Sequence, residues 1–401
     1  MTSVRNYAVV TASYWGFTLT DGALRMLVLL HFHTLGYSPF QIAFLFLLYE
    51  LFGVVTNLLG GWIGSHLGLR VTLLSGLSLQ VAALMMLAQL DSAWPALASL
   101  AYVMAAQALS GIAKDLTKMS SKSAIKLVVA SGEQTMLFRW VALLTGSKNA
   151  LKGIGFFLGG VLLAWLGFEA SLYAMAIALA FILLLSTTFL PKQMGRAGKA
   201  ARFRKILSKD RQINLLSAAR FFLFGSRDVW FVVGLPLFLS ATLGWSHPQV
   251  GAYLAFWVIG YGLIQASAPR LLRRGKLPGA HTALQWALIL IAVPLLMVLA
   301  LQGMLPAQYV VFVGLAIYGV VFAVNSAVHS YLIVAFADRD TVAMDVGFYY
   351  MANAAGRLAG TLLSGVTYQY FGLEGCLWAS LLFLLAAAGF SRRLSVEPLK
   401  G

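Results

Sequence analysis

Charge is what this sequence has least of. Of its 401 residues only 10% are Asp, Glu, Lys or Arg while 60% are hydrophobic, a balance far too apolar for a water-soluble domain. Acids are scarcer than bases, 13 against 29, and no clustered carboxylates or histidines gather at one end of the apolar stretches. That argues against an integral-membrane enzyme acting on lipid phosphates. A single cysteine, Cys376, excludes an internal disulfide, and no Cys/His spacing reads as a metal cluster, so neither metal nor cofactor is expected. After twelve crossings little chain remains for a soluble domain, which argues against a receptor.

What is present is a series of long apolar stretches, near residues 8–34, 39–64, 70–90, 95–118, 134–166, 168–190, 212–240, 247–268, 279–300, 306–336, 343–371 and 373–391. A helix needs about 20 apolar residues to cross the hydrocarbon core, so the pattern predicts an all-α integral membrane protein with twelve transmembrane helices. The first stretch is too long, and too interrupted by Asp21 and Arg25, for a cleaved signal peptide, and is expected to be retained.

Basic residues alternate with the spans. Of 29 Lys and Arg, 22 fall in the N-terminal tail, the even-numbered loops, the C-terminal tail or helix ends on that side, and none in an odd-numbered loop. The positive-inside rule then places both termini in the cytoplasm of a bacterial inner membrane. Residues 191–211 carry eight bases and the lone acid Asp210, and read as a cytoplasmic linker between two bundles, 1–190 and 212–401. The formal charge of +16 is a topology signal facing anionic lipid and needs no nucleic acid.

The two bundles repeat. Leu35-Gly36-Tyr37-Ser38-Pro39-Phe40-Gln41 after the first span matches Leu243-Gly244-Trp245-Ser246-His247-Pro248-Gln249 after the seventh, each with a Ser-x-x-Gln capping box. Leu166-Gly167-Phe168-Glu169 matches Phe371-Gly372-Leu373-Glu374. Six helices repeating in parallel suit a transporter with a midplane site between pseudo-symmetric halves. Gly155 with Gly159, and Gly356 with Gly360, are expected to allow close helix packing.

Seven bases lie inside spans: Arg25, Arg139, Lys148, Lys152, Arg220, Arg227 and Arg357. A charge at that depth marks an internal pathway by default. Only Asp21, Asp228 and Glu50 stand at comparable depth to carry protons or balance charge, so the interior is expected to be net positive and suited to an anion. Lys148 and Lys152 share a helical face. Superposing the two Leu/Phe-Gly-x-Glu turns sets Lys152 equivalent to Arg357, and Lys148 to Asn353, a clamp for a substrate with two anionic ends. Arg25 is open to full use by Asp21, four residues earlier. Arg227 and Asp228, being adjacent, are expected to diverge, and Arg139 and Arg220 to snorkel toward the cytoplasm. Gln107, Asn149, Tyr318, Asn325, His329 and Tyr349 are open to binding substrate or to joining helices. His31 and His33 do not share a face and are not expected to bind metal.

The loop Gly61-Trp62-Ile63-Gly64-Ser65-His66-Leu67-Gly68-Leu69-Arg70 resembles the major facilitator signature G-x-x-x-D-R-x-G-R-R at both glycines and the final base, with Ser65 and His66 in place of its Asp and first Arg. More specifically, Thr11 to Met26 with Leu30 to Gly36, Gly111-Ile-Ala-Lys114-Asp115-Leu-Thr-Lys118-Met, and Thr145-Gly-Ser-Lys148-Asn149-Ala-Leu-Lys152-Gly resemble the bacterial organoarsenical efflux permeases, the ArsJ family. That resemblance implies a non-enzymatic exporter of 1-arseno-3-phosphoglycerate conferring arsenate resistance, linked to the glyceraldehyde-3-phosphate dehydrogenase that makes the compound. On the residues alone, another organophosphate or sugar-phosphate exporter or exchanger fits equally. A cationic-drug exporter fits poorly, for want of midplane acids.

Overall fold

The computed structural model describes residues 2–91, 93–124, 134–191, 210–272, 278–303, 305–336 and 342–394, apart from the side chains of 2–4, 60–67, 122–123, 134–143, 145, 269–270, 334 and 342–344. The described elements are helical. They are α1 (Thr2–Thr34), α2 (Pro39–Leu45), α3 (Leu47–Leu67), α4 (Leu69–Ala88), α5 (Ala96–Ala124), α6 (Gln134–Phe189), α7 (Arg211–Phe231), α8 (Gly234–Leu237), a π-helical turn Phe238–Thr242, α9 (His247–Leu271), α10 (Ala280–Gln302), α11 (Ala307–Phe336) and α12 (Val342–Arg392).

Nine segments among the described residues are long and apolar enough to cross a membrane. Two of these, within α6 and α12, are 44 and 48 residues long, double the length one crossing needs. Each is bent at a glycine with left-handed backbone, Gly167 (φ 77°) and Gly372 (φ 60°), in the matched turns of the repeat. Cut there, they add two segments, and α1, less apolar because of Asp21 and Arg25, is long enough to add a third, a count compatible with the twelve anticipated from the sequence. The other matched turn pair also centres on left-handed glycines, Gly36 (φ 83°) and Gly244 (φ 69°). Residues with a Cβ rarely adopt this conformation, so a glycine recurs at each corner.

At Ser38 the expected capping box is complete: its hydroxyl accepts from the Gln41 amide (3.3 Å) and its own amide donates to the Gln41 side chain (2.9 Å). The second box forms by half. Gln249 Oε1 accepts from both the amide and the hydroxyl of Ser246 (2.9 Å each), which turns that hydroxyl away from the helix amides.

The seventh span is broken internally. Pro236 has no N–H to donate, and α7 stops at Phe231, freeing the amides of Val233 and Gly234. Ser364 of α12 accepts from both (3.2 and 3.0 Å), as unsatisfied backbone in hydrocarbon would require.

The chain forms two compact units. One comprises Met1–Leu35, Leu48–Phe203 and Ser246–Val258; the other comprises Gly36–Leu47, Arg204–Trp245 and Ile259–Gly401. The first is organised by α1 against α6, where Gly22, Gly155 and Gly159 bring backbones together: a Cβ on Gly155 would lie 2.5 Å from the Leu19 carbonyl oxygen, and one on Gly159 would strike the Ala23 carbonyl. The second is organised by α7 against α12, where Gly225, Gly356 and Gly360 do the same; a Cβ on Gly356 would strike the Phe221 carbonyl. These are the glycine pairs read as packing residues from their spacing.

Candidate functional site

In the first unit, a polar network joins α1, α3 and α5. Arg25, buried on α1, donates through Nη2 to Oε1 of Glu50 on α3 (3.1 Å). Its partner is therefore Glu50 and not Asp21. Asp21 instead accepts from the Tyr49 hydroxyl (2.7 Å). The Tyr49 ring carries Lys114 Nζ over its face at 3.9 Å and the Arg25 guanidinium at 5.5 Å, so two cations share one aromatic surface.

One residue further along α5, the fully buried Asp115 accepts from Thr56 (2.7 Å), Asn57 (3.3 Å) and Lys118 (2.5 Å). Lys118 also donates to Asn57 Oδ1 at 2.6 Å. On α6, Lys148, Asn149 and Lys152 are half-buried, with Lys152 Nζ 5.6 Å from the Phe156 ring centre. Lys152 lies at the crossing with α1, where a Cβ on Gly22 would sit 2.8 Å from its carbonyl oxygen. Trp15 ties the same helices by donating to Ser147 (3.0 Å). Among the described side chains on the interior helices of this unit, the cations Arg25, Lys114, Lys118, Lys148 and Lys152 number five against three acids, Asp21, Glu50 and Asp115.

In the second unit, Asp228 holds two guanidiniums. Arg227 donates to Oδ1 through Nε (2.6 Å) and pairs with the same oxygen through Nη2, while Arg357 Nε of α12 meets Oδ2 at 3.1 Å. The expectation that adjacent Arg227 and Asp228 would diverge is overturned. The rings of Phe224, Phe322 and Phe231 lie 4.9, 5.5 and 5.9 Å from the Arg227 guanidinium, and this aromatic packing folds the long side chain back onto the neighbouring carboxylate.

Two turns earlier on α7, Arg220 does not snorkel. It is buried, with Nε donating to Asn353 Oδ1 (2.9 Å), Nη1 to the carbonyl and hydroxyl oxygens of Ser326 (3.1 Å each), and its plane over Phe224 (3.9 Å) and Tyr349 (5.1 Å). Tyr349, Asn353 and Arg357, spaced by four, present one face of α12 to Arg220 and Asp228. On α11, Tyr318 bonds Ser226 (2.8 Å), while buried Asn325 has neither amide atom hydrogen-bonded among the described residues, nor has His329 Nδ1. The same holds for Gln107 Nε2 in α5. His31 stacks on Phe168, ring centres 4.0 Å apart. The side chains of Arg139, Ser65 and His66 lie outside the described set.

Tyr49, Lys114, Asp115, Lys118, Arg220 and Ser326 join the network without having been singled out as site residues. Lys114 and Lys118 repeat the four-residue spacing of Lys148 and Lys152, and that was the available signal; their place near the cytoplasmic end of the fourth stretch made them read as topology charges.

No curated protein matches this sequence. Among solved structures, the human organic anion transporter MFSD10 (TETRAN) is similar with a TM-score of 0.69 and 18% identity, over 97% of this chain and 99% of that one. The nucleoside transporter NupG (D323A mutant) is similar with a TM-score of 0.72 and 16% identity, over 98% of this chain and 99% of that one. At such identities the likeness is one of fold. The Major Facilitator Superfamily model matches residues 8–327, and the chain, a multi-pass membrane protein of the transporter fold, belongs to that superfamily.

Proposed function

We propose that this protein is a secondary transporter that exports an organic anion by alternating access, with 1-arseno-3-phosphoglycerate as its substrate and arsenate resistance as the outcome. The observation that carries the anion is the preponderance of bases on the interior helices: among the described side chains five, one buried and four half-buried, against three acids in the first unit, and in the second two guanidiniums on the carboxylate of Asp228. A charge held inside a membrane is costly and marks an internal pathway, and an anionic ligand suits a pathway lined by more bases than acids.

The arsenic rests on the resemblance of the Thr11–Gly36, Gly111–Met119 and Thr145–Gly153 segments to the organoarsenical efflux permeases. The substrate carries phosphate and arsenate at its two ends, and Lys148, Lys152, Arg227 and Arg357, with Arg25 assisting, are the cations that would receive them. Asn149, Asn353 and Tyr349 would contribute hydrogen bonds. Asp21, Glu50 and Asp228 would balance charge and, on this reading, carry any coupled proton. On this reading the chain is two sequence-repeat halves, 1–190 and 212–401, joined by a basic linker at 191–211, with both termini in the cytoplasm of a bacterial inner membrane and a glyceraldehyde-3-phosphate dehydrogenase supplying the substrate.

Uptake into inside-out vesicles tests this reading. The arsenylated glycerate should accumulate faster than 3-phosphoglycerate, and only in vesicles bearing the protein. Equal uptake of both compounds would replace the arsenate specificity with a general organophosphate exporter. No uptake of either would end the proposal.

A further inference from the structure

Beside Arg220 three hydrogen-bond donors converge on one oxygen. One hydroxyl oxygen, Oγ of Ser326, is approached by Arg220 Nη1 (3.1 Å), Gln265 Nε2 (3.3 Å) and the Tyr261 hydroxyl (3.4 Å). It has two lone pairs for three donors. The Ser326 carbonyl is shared as well, by Arg220 Nη1 and by the Ser330 hydroxyl (2.9 Å).

Arg220 Nη2 donates no hydrogen bond among the described residues, and no carboxylate there is bonded to Arg220, whereas Arg25, Arg227 and Arg357 each meet one. Every residue of this nest belongs to the second compact unit.

Helix α11 lines the nest with one face. Phe322, Asn325, Ser326 and His329 fall at i, i+3, i+4 and i+7, and Ser326 fixes that face toward Arg220. Both Asn325 amide atoms and His329 Nδ1 are buried without a hydrogen bond among the described residues. Orphaned buried polar atoms are rare in folded proteins and call for a missing partner.

We propose that the Arg220 nest is an oxyanion subsite receiving the phosphate, arsenate or carboxylate end of a hydroxylated organic anion. Oxygens of the anion take the N–H groups of Arg220 Nη2 and Asn325. A hydroxyl beside that anionic group meets Asn325 Oδ1 or His329 Nδ1. The assignment rests on the anion-carrier reading and adds to it an anchor on α7 and α11, distinct from the guanidiniums gathered on Asp228.

The test is ligand-induced thermal stabilisation of the purified full chain in neutral detergent, with 3-phosphoglycerate and, separately, short-chain phosphatidylglycerol as probes. 3-Phosphoglycerate should raise the melting temperature of the wild type. Arg220→Gln should weaken its binding by at least about tenfold, the loss expected for a hydrogen bond to a charged group, and Arg220→Lys should fall between. Asn325→Leu separates a ligand role from a structural one: by removing two orphaned amide groups it should melt higher than wild type when empty, yet bind 3-phosphoglycerate more weakly.

Unchanged affinity in Arg220→Gln and Asn325→Leu, or a wild type that 3-phosphoglycerate does not stabilise, overturns the subsite. An Arg220-dependent shift with phosphatidylglycerol alone overturns it too, in favour of a lipid headgroup. A wild type that binds 3-phosphoglycerate through Arg220 but carries no arsenylated glycerate into vesicles would remove the proposed substrate and leave the subsite standing.

Discussion

Asp228 receives Arg357 across the α7–α12 crossing, Nε 3.1 Å from Oδ2, while its other oxygen holds Arg227. One carboxylate thus fixes two guanidiniums and leaves the cluster with a net positive charge. The side chains of both arginines remain 15% and 17% exposed against 1% for Asp228, so the cations and not the acid are the accessible part of the cluster.

Removing that acid should be costly. Asp228→Asn removes the carboxylate that two guanidiniums share, and breaking a buried pair in this way costs about 3–5 kcal/mol. A lowered melting temperature in detergent would show it. Pairing the change with Arg357→Gln should recover part of the loss, with a coupling of about 0.5–3 kcal/mol in the double-mutant cycle.

For transport, Lys152→Ala and Arg357→Ala should each abolish arsenate resistance in cells while leaving the protein in the membrane at wild-type levels. Resistance measured beside quantified membrane protein checks both halves of the statement. Full export retained by both variants would remove the two-ended clamp.

The helix crossings predict a sharp contrast among glycines. Gly356→Ala puts a methyl group against the Phe221 backbone and should destabilise by about 1–3 kcal/mol or more, as overpacking does. Gly146→Ala, with nothing within 4 Å of the added carbon, should be neutral or stabilise by about 1 kcal/mol through helix propensity. Melting curves of the two variants side by side decide it.

Ser364→Ala should loosen the broken seventh span. It strips the acceptor from the amides of Val233 and Gly234, and leaving such groups unmet costs about 1–3 kcal/mol each. Faster hydrogen exchange confined to residues 231–237, with the rest of α7 protected as before, is the expected signature.

Much of the architecture was legible in the chain because it rests on local rules. Twelve spans follow from a length of apolar sequence, and the doubled turns at Gly36, Gly244, Gly167 and Gly372 follow from the backbone angles that only glycine adopts easily. The four-residue glycine spacings in α6 and α12 signalled close helix packing, but not that α1 and α7 would be the partners. Ion pairing was not legible. Arg25 stands four residues from Asp21, the right distance for a pair on one helix, yet bonds Glu50 on α3, because Tyr49 takes Asp21. Arg220 looked like a base at a helix end, but Asn353 and Ser326, more than a hundred residues away, draw it inward.

Composition and order alone therefore decided that this is a helical membrane protein with a repeated architecture and a surplus of interior bases, since hydropathy, charge balance and glycine placement are properties of short segments in lipid. Which carboxylate meets which cation, and which donors are left without an acceptor, was decided only by the tertiary structure. A hydrogen bond reaches about 3 Å, and no local pattern says which distant side chain will arrive within that distance.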